Sequence, residues 1–83
     1  SIQPQLRRQQ RLEREMEKIR QQQDQTEAQL GDAGLYQGDR KDELRDLLFS
    51  QAENNKRIEQ LETEWFEICE EIEQIQGEFE QSD

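Results

Sequence analysis

The residues with the clearest chemical potential are six cations in the first twenty positions of the chain. They are Arg7, Arg8, Arg11, Arg14, Lys18 and Arg20. Arginine and lysine side chains bind phosphate oxygens and release counterions, so this spacing is compatible with a stripe that contacts a nucleic-acid backbone. A smaller cluster of Arg40, Lys41 and Arg45 lies near the middle of the chain. No recognition helix, zinc finger or RNA-recognition motif accompanies these cations, so any contact would be independent of base sequence.

The overall charge favours a different interpretation of the same cations. Eleven Lys and Arg residues stand against 21 Asp and Glu residues, which gives a net charge of −10 and an isoelectric point near 4.4. Residues 58–83 hold ten acids and no cation. An acidic helix beside the stripe would neutralise part of it and repel a nucleic acid. Most of these cations are therefore either solvated or paired within the molecule, or they make a weak, salt-sensitive contact with phosphates.

The residue types that most catalytic and metal sites need are scarce. The chain has no His and one Cys, so His-based catalysis, a Cys/His metal cluster and a disulfide framework are excluded. None of Gly31, Gly34 and Gly38 is followed by the Gly-Lys-Ser/Thr of a phosphate-binding loop, so ATP cannot bind by that mechanism. Cys69 is expected to behave as an inert small apolar residue, with a redox role as the alternative. We expect no enzyme activity, metal or cofactor in this chain.

The composition limits the fold. Apolar residues make up 29% of the chain, which is too few to form a globular core. Charged residues make up 39%, which is more than a globular domain usually carries. Disorder, or long helices that bury a narrow seam, are the structures that such a composition allows. No apolar run approaches the length of a membrane-spanning helix and no signal peptide is visible, so we expect a cytoplasmic chain without membrane contact. Residues 1–83 are expected to form a single domain.

Helix-favouring residues run in two stretches separated by a glycine-rich connector. Pro4 suits the first turn of a helix, and Gly31 suits a stop in which the last residue turns left-handed. We expect a first helix over about residues 4–30, a connector over 31–38, and a second helix over about 39–80.

Seam residues in both stretches recur at alternating intervals of three and four, which is typical of a coiled coil. In the second stretch they are Leu44, Leu47, Gln51, Asn54, Ile58, Leu61, Trp65, Ile68, Ile72, Ile75 and Phe79. In the first stretch they are Gln5, Gln9, Leu12, Met16, Ile19, Gln23, Thr26 and Leu30. Neither seam can be buried alone, and the connector is short. The predicted fold class is therefore all-α, a two-helix antiparallel coiled-coil hairpin.

The register follows from placing Leu30 opposite Leu44 beside the connector. This alignment sets Gln23 against Gln51, where we expect a hydrogen bond between the two amides that fixes the register. The antiparallel arrangement also lays the basic start of the chain beside the acids of residues 59–67. Each exposed ion pair contributes little stability, but the set of pairs favours this orientation over a parallel one.

Three residues near the seam have alternative roles. Leu35 and Tyr36 in the connector would either fold over the end of the hairpin or form a tip that touches a partner. Trp65 lies on the seam opposite Gln9, so a packing role is favoured over base stacking.

Ile75 and Phe79 continue the seam beyond the reach of the first helix. This tail would either fray near Gly77 or meet another surface. That surface would be residues upstream of this sequence or a second copy of the chain, so self-association through Ile75 and Phe79 is one expectation.

The connector and second helix contain the runs LGDAGLYQGDRKDEL and LETEWFEICEEIE, and the first helix contains RLEREMEKI. Together these runs resemble the C-terminal domain of ABC-F ATP-binding proteins, of the Uup and YheS type. The residues at the family's characteristic positions are Leu30, Asp32, Leu35, Tyr36, Glu62, Trp65 and Glu67.

The resemblance implies a function that composition does not show. Members of the family carry two ATP-binding cassettes, lack membrane spans, and in many cases act on ribosomes to alter translation. Their C-terminal domain is a coiled-coil hairpin with a 3₁₀ turn in its connector and contributes to DNA binding. The chain would then be a non-catalytic accessory domain, with ATP bound elsewhere in the full-length protein. Its partners would be DNA or ribosomal RNA and the ATPase domains of the same protein; the alternative is a protein-interaction coil without nucleic-acid binding.

Overall fold

A computed structural model describes residues 1–81 as two long helices packed into a rod with extents of 68 × 16 × 14 Å. Helix α1 spans Gln3–Leu30, a 3₁₀ turn spans Ala33–Tyr36, and helix α2 spans Lys41–Gln81. The two helices pack against each other along their length. The predicted all-α hairpin is confirmed.

The end of α1 differs from the prediction. Gly31 has a φ of −81° and ψ of −6°, so it is right-handed, and its N–H donates to the Glu27 carbonyl oxygen at 3.0 Å. The predicted left-handed stop at Gly31 is therefore wrong. The left-handed conformation occurs at Gly38, where φ is +99°. The chain leaves α1 through the 3₁₀ turn, so the reversal that needs glycine comes only before α2.

Helix α2 begins two residues later than predicted. The first helical hydrogen bond runs from the Leu44 N–H to the Arg40 carbonyl oxygen at 3.0 Å, so Arg40 precedes the helix. Upstream, the Asp32 side chain accepts a hydrogen bond from the Gly34 N–H at 2.9 Å and begins the 3₁₀ turn. The connector thus makes its own local hydrogen bonds before the chain enters α2.

Cross-helix ion pairs establish the antiparallel register. Arg8 lies 3.5 Å from Glu64, and Glu15, one heptad further along α1, lies 2.7 Å from Arg57, one heptad earlier in α2. Equal steps in opposite directions are what an antiparallel coiled coil requires.

The polar pair that was predicted to fix the register forms differently. The Gln23 side-chain amide donates to the Asn55 side-chain oxygen at 2.9 Å, so the predicted Gln23–Gln51 bond is wrong. Gln51 is half-buried in the seam, whereas Asn55 is exposed at its edge. Because glutamine has a long side chain, Gln23 reaches past the seam layer to the next turn of α2.

The apolar core lies in the half of the rod that is distant from the connector. Its buried members are Leu12, Met16, Ile58, Leu61, Ile68 and Ile72. Leu6, Ile19 and Trp65 pack against them while remaining partly exposed. Nearer the connector, Leu30 and Leu44 are half-buried and Thr26 is a buried polar residue.

Helix α2 runs unbroken through Gly77 to Gln81, so the glycine does not end it. Near this end Ile75 is half-buried, and Phe79 is 76% exposed. Positions 82–83 of the predicted tail lie outside the described residues.

Candidate nucleic-acid interface

Four of the six predicted cations form one row on the outside of α1. They are Arg7, Arg11, Arg14 and Lys18, and all four are exposed. Spacings of four, three and four residues place them on one helix face, opposite the buried Leu12 and Met16. The row spans about 16 Å at about 1.5 Å per residue. Within residues 1–81 none of the four forms an ion pair. We call these four residues the outer stripe.

The other two cations of the first helix lie at its edges and face α2. Arg8 pairs with Glu64 at 3.5 Å, and Arg20 pairs with Glu62 at 3.7 Å. All four side chains are roughly half exposed. The two interpretations of the basic stretch therefore apply to different residues: these two cations are paired within the molecule, and the outer stripe is solvated.

Arg40 near the connector forms hydrogen bonds and ion pairs within the molecule. Its guanidinium donates to the Asp32 carboxylate at 2.9 Å and twice to the Glu43 carboxylate at 2.8 Å. Hydrogen bonds from Arg40 lower the pKa of Asp32, with help from the Gly34 N–H, and they lower the pKa of Glu43. The same bonds raise the pKa of Arg40, that to Glu43 most. We call Arg40, Asp32 and Glu43 the connector clamp.

The remaining cations near the connector do not extend the outer stripe. Arg45 lies 3.7 Å from both Asp42 and Asp46, which is a loose and exposed arrangement. Lys41 is exposed at the start of α2 and forms no ion pair with the described residues. Of the predicted cluster, only Lys41 is thus left available to a phosphate.

Arg57 is a structural cation that the sequence analysis did not single out. Its guanidinium donates to Glu15 at 2.7 Å, and this bond raises the pKa of Arg57. The available signal was its position beside the seam residue Ile58, where heptad flank positions pair across two helices.

Trp65 packs on the core, and its indole N–H has a polar partner that the sequence analysis did not predict. Its indole N–H donates to the Glu13 carboxylate at 3.3 Å, whereas Gln9 lies 3.3 Å from the Cys69 sulfur. The sequence analysis placed Trp65 opposite Gln9 but named no acceptor for the indole N–H; that acceptor is a carboxylate one turn along α1 from Gln9. Trp65 also meets Phe66 edge to face, with ring centroids 5.2 Å apart.

Leu35 and Tyr36 divide the role that was predicted for them. Leu35 is 1% exposed and belongs to the 3₁₀ turn, which packs on α2. Tyr36 is 57% exposed, and its hydroxyl donates to the Leu30 carbonyl oxygen. That carbonyl is one of the last four of α1 and has no partner within the helix. Leu35 therefore closes the seam, and Tyr36 ties the turn to the end of α1.

Two further findings concern the described residues as a whole. Across positions 1–81, no group of three or more His, Cys, Asp or Glu side chains is arranged to hold a metal ion. Neither helix has a stretch long and apolar enough to cross a lipid bilayer.

Comparisons with protein-family models, with curated proteins and with solved structures gave no match to this chain. The resemblance to the ABC-F C-terminal domain therefore stays a prediction.

Proposed function

We propose that this hairpin is a non-catalytic, cytoplasmic accessory domain of an ABC-F type ATP-binding protein, and that the outer stripe contacts nucleic-acid backbones. The observation that carries the contact is the stripe itself, a row of four exposed cations without an ion-pair partner among residues 1–81. ATP would bind in the cassettes of the full-length protein, and this chain would add affinity for DNA or ribosomal RNA.

The net charge of −10 weakens this contact without forbidding it. The stripe lies on the face of α1 opposite the seam, and the rod is 14–16 Å across. The Debye length is about 8 Å at physiological salt, so the acids on the far side of α2 are largely screened from a phosphate at the stripe. A phosphate that touches the stripe directly is not screened in this way. Weak binding at physiological salt is the expected outcome.

The number of cations in the outer stripe also predicts how the binding constant depends on salt concentration. If all four cations contact phosphates of a duplex, the logarithm of the binding constant should fall with the logarithm of salt concentration with a slope of about −3 to −4. Because the stripe carries no group placed to read base edges, different sequences should bind alike.

The test is fluorescence anisotropy of the chain with labelled duplex DNA and with a labelled RNA helix, at low and at moderate salt. The triple variant Arg7→Gln, Arg11→Gln, Arg14→Gln should lose most binding. A matched pair of double variants is the control: Arg45→Gln, Lys56→Gln removes the same charge from α2 as Arg11→Gln, Arg14→Gln removes from the stripe, and it should retain binding. Equal loss in the two double variants, or no binding at low salt, would contradict the proposal.

A protein-interaction coil is the second candidate, and one observation favours it. The end of α2 carries Ile75 and Phe79, which with Ile2 line a groove at the open end of the hairpin. Self-association there would appear in sedimentation velocity as a concentration-dependent dimer that Ile75→Asp abolishes. A monomer at all concentrations would exclude self-association and leave the ATPase domains of the same protein as the partner to test.

A further inference from the structure

A shallow notch opens where α1 and α2 meet, on one flank of the rod. It is lined by Glu13, Met16, Arg20, Glu62, Trp65 and Phe66. Met16 and Trp65 belong to or pack on the core, and they give the notch an apolar floor. Phe66 is 62% exposed even though its ring meets Trp65 edge to face. We call this feature the aromatic notch.

Phe66 is one of three exposed phenylalanines, with Phe49 and Phe79, and its ring meets Trp65 at the notch. It follows Trp65 directly, so it lies beside the seam and outside the apolar core. A phenylalanine there exposes apolar area that the packing of the hairpin does not require. Exposed aromatic rings beside a concave surface are typical of sites where another molecule binds.

The charges around the notch select the kind of molecule. Glu13 accepts the Trp65 indole N–H but has no cation partner among the described residues. Glu62 pairs with Arg20 at 3.7 Å, and both side chains are about half exposed. Residues 58–81 of α2 carry nine acids and no Lys or Arg. The notch therefore attracts a cation and repels an anion.

We propose that the aromatic notch binds an arginine side chain from a basic segment of a partner protein. A guanidinium group stacks on aromatic rings and donates to carboxylates in the same plane, so one side chain can use both Phe66 and Glu13. Arg20 also lines the notch and pairs with Glu62, so a guanidinium already lies beside one carboxylate of the notch. A neutral side chain would cover the rings and leave Glu13 without a cation. This site selects the opposite charge to the outer stripe, although Glu13 also lines a neighbouring groove with Arg14 of the stripe.

The single tryptophan of the chain lines the notch, so its fluorescence reports binding directly. The probe is the peptide Gly-Arg-Gly-Arg-Gly-Arg-Gly, titrated at low salt, with lysine and glutamine versions for comparison. We expect a saturable change in emission with the arginine peptide, weaker binding of the lysine peptide, and none of the glutamine peptide.

Matched variants separate the notch from general attraction to an acidic rod. Phe66→Leu and Glu13→Gln should each weaken binding by about threefold or more. Phe49→Leu and Glu53→Gln make the same changes at exposed positions elsewhere on α2 and should leave the affinity within about twofold. Because Glu13 and Phe66 are exposed, circular dichroism should show unchanged helicity in both notch variants.

Three outcomes would overturn the proposal. One is equal weakening in all four variants, which would indicate attraction by charge alone. Another is the absence of a saturable change in emission with the arginine peptide. The third is equal affinity for the lysine and arginine peptides, which would remove the role of guanidinium stacking. The triple variant of the outer stripe should bind the arginine peptide undiminished, so this result stands apart from the phosphate test.

Discussion

The two halves of the hairpin share one heptad pattern but are held together by different interactions. In the half distant from the connector, buried residues such as Leu12, Leu61 and Ile68 form a continuous apolar core. In the half next to the connector, the seam holds the buried Thr26 and the edge is bridged by Gln23 and Asn55. We call these the apolar half and the polar half.

This difference separates the source of stability from the source of specificity. Burial of apolar area supplies free energy but tolerates a shift along the seam, since many apolar residues would pack equally well after it. A polar side chain in the seam loses its partner when the register shifts, and an unsatisfied amide costs free energy. The polar half and the connector should therefore contribute to the alignment while adding little stability. The apolar half should supply most of the stability, and it shares in the alignment through the cross-helix pairs of Arg8 and Arg57.

The largest expected effect comes from truncating the centre of the apolar half. Leu61 is 0% exposed, so Leu61→Ala removes a fully buried side chain and should lower the free energy of unfolding by about 2–5 kcal/mol. Urea unfolding followed by circular dichroism measures this change.

The control for Leu61→Ala is Thr26→Ala in the polar half. Thr26 is also buried, but the change removes only one methyl group and one hydroxyl group and should cost about 1 kcal/mol. If the two variants lose equal free energies of unfolding, the two halves contribute equally to stability and the contrast between them is contradicted.

The next effect concerns the closed end of the polar half. Leu35 is 1% exposed within the 3₁₀ turn, so Leu35→Ala should cost about 2 kcal/mol, near the low end for buried leucine because a connector can collapse onto the space. The measurement is the same urea unfolding. A change near zero would mean that the turn packs only loosely on α2 and that the seam alone closes the hairpin.

The seam could be predicted from the sequence because each of the two joined helices carries a stripe of apolar residues. Packing the two stripes against each other is the simplest arrangement that buries both stripes. The pairs at the edges of the seam could not be predicted. Long side chains reach about one turn in either direction, which is why Gln23 meets Asn55 and Trp65 meets Glu13. These choices depend on which neighbour offers the better acceptor, and spacing does not contain that information.

The candidate site was predictable in part for the same reason. The positions of the six cations on α1 can be predicted from the sequence, but their ion-pair partners cannot. Heptad geometry assigns Arg11 and Lys18 to the outer face, whereas Arg8 and Arg20 find acids only once α2 lies beside them. The aromatic notch was missed because Phe66 lies outside the seam pattern, although its place beside Trp65 was a usable signal.

A smaller effect is expected at the junction of turn and helix. Tyr36→Phe removes the hydrogen bond to the Leu30 carbonyl oxygen and leaves the exposed ring in place. The expected loss is about 0.5–1 kcal/mol, because such bonds contribute little net stability where water can replace them. Hydrogen exchange should show faster opening of the last turn of α1, with the apolar half unchanged. Uniformly faster exchange along both helices would mean that the connector supports the whole rod.

The smallest effect tests the connector clamp through pH. Because Arg40 lowers the pKa of Asp32 and of Glu43, the folded chain holds both carboxylates ionised more firmly than the unfolded chain does. The clamp's contribution is therefore fully present above the ordinary carboxylate pKa values of about 4, and it is lost as pH falls through the lowered folded values. Arg40→Gln should reduce the urea midpoint slightly at about pH 7, and the difference from the unmodified chain should vanish at about pH 2.5.

Arg45→Gln is the matched control for the clamp. Arg45 lies 3.7 Å from its two carboxylates and is 72% exposed, so its removal should produce no difference that depends on pH. If Arg40→Gln shifts the midpoint equally at both pH values, the guanidinium acts through packing rather than through charge. The closed end of the polar half would then be held by the packing of Arg40, Leu35 and Tyr36, and its contrast with the apolar half would be one of size rather than of kind.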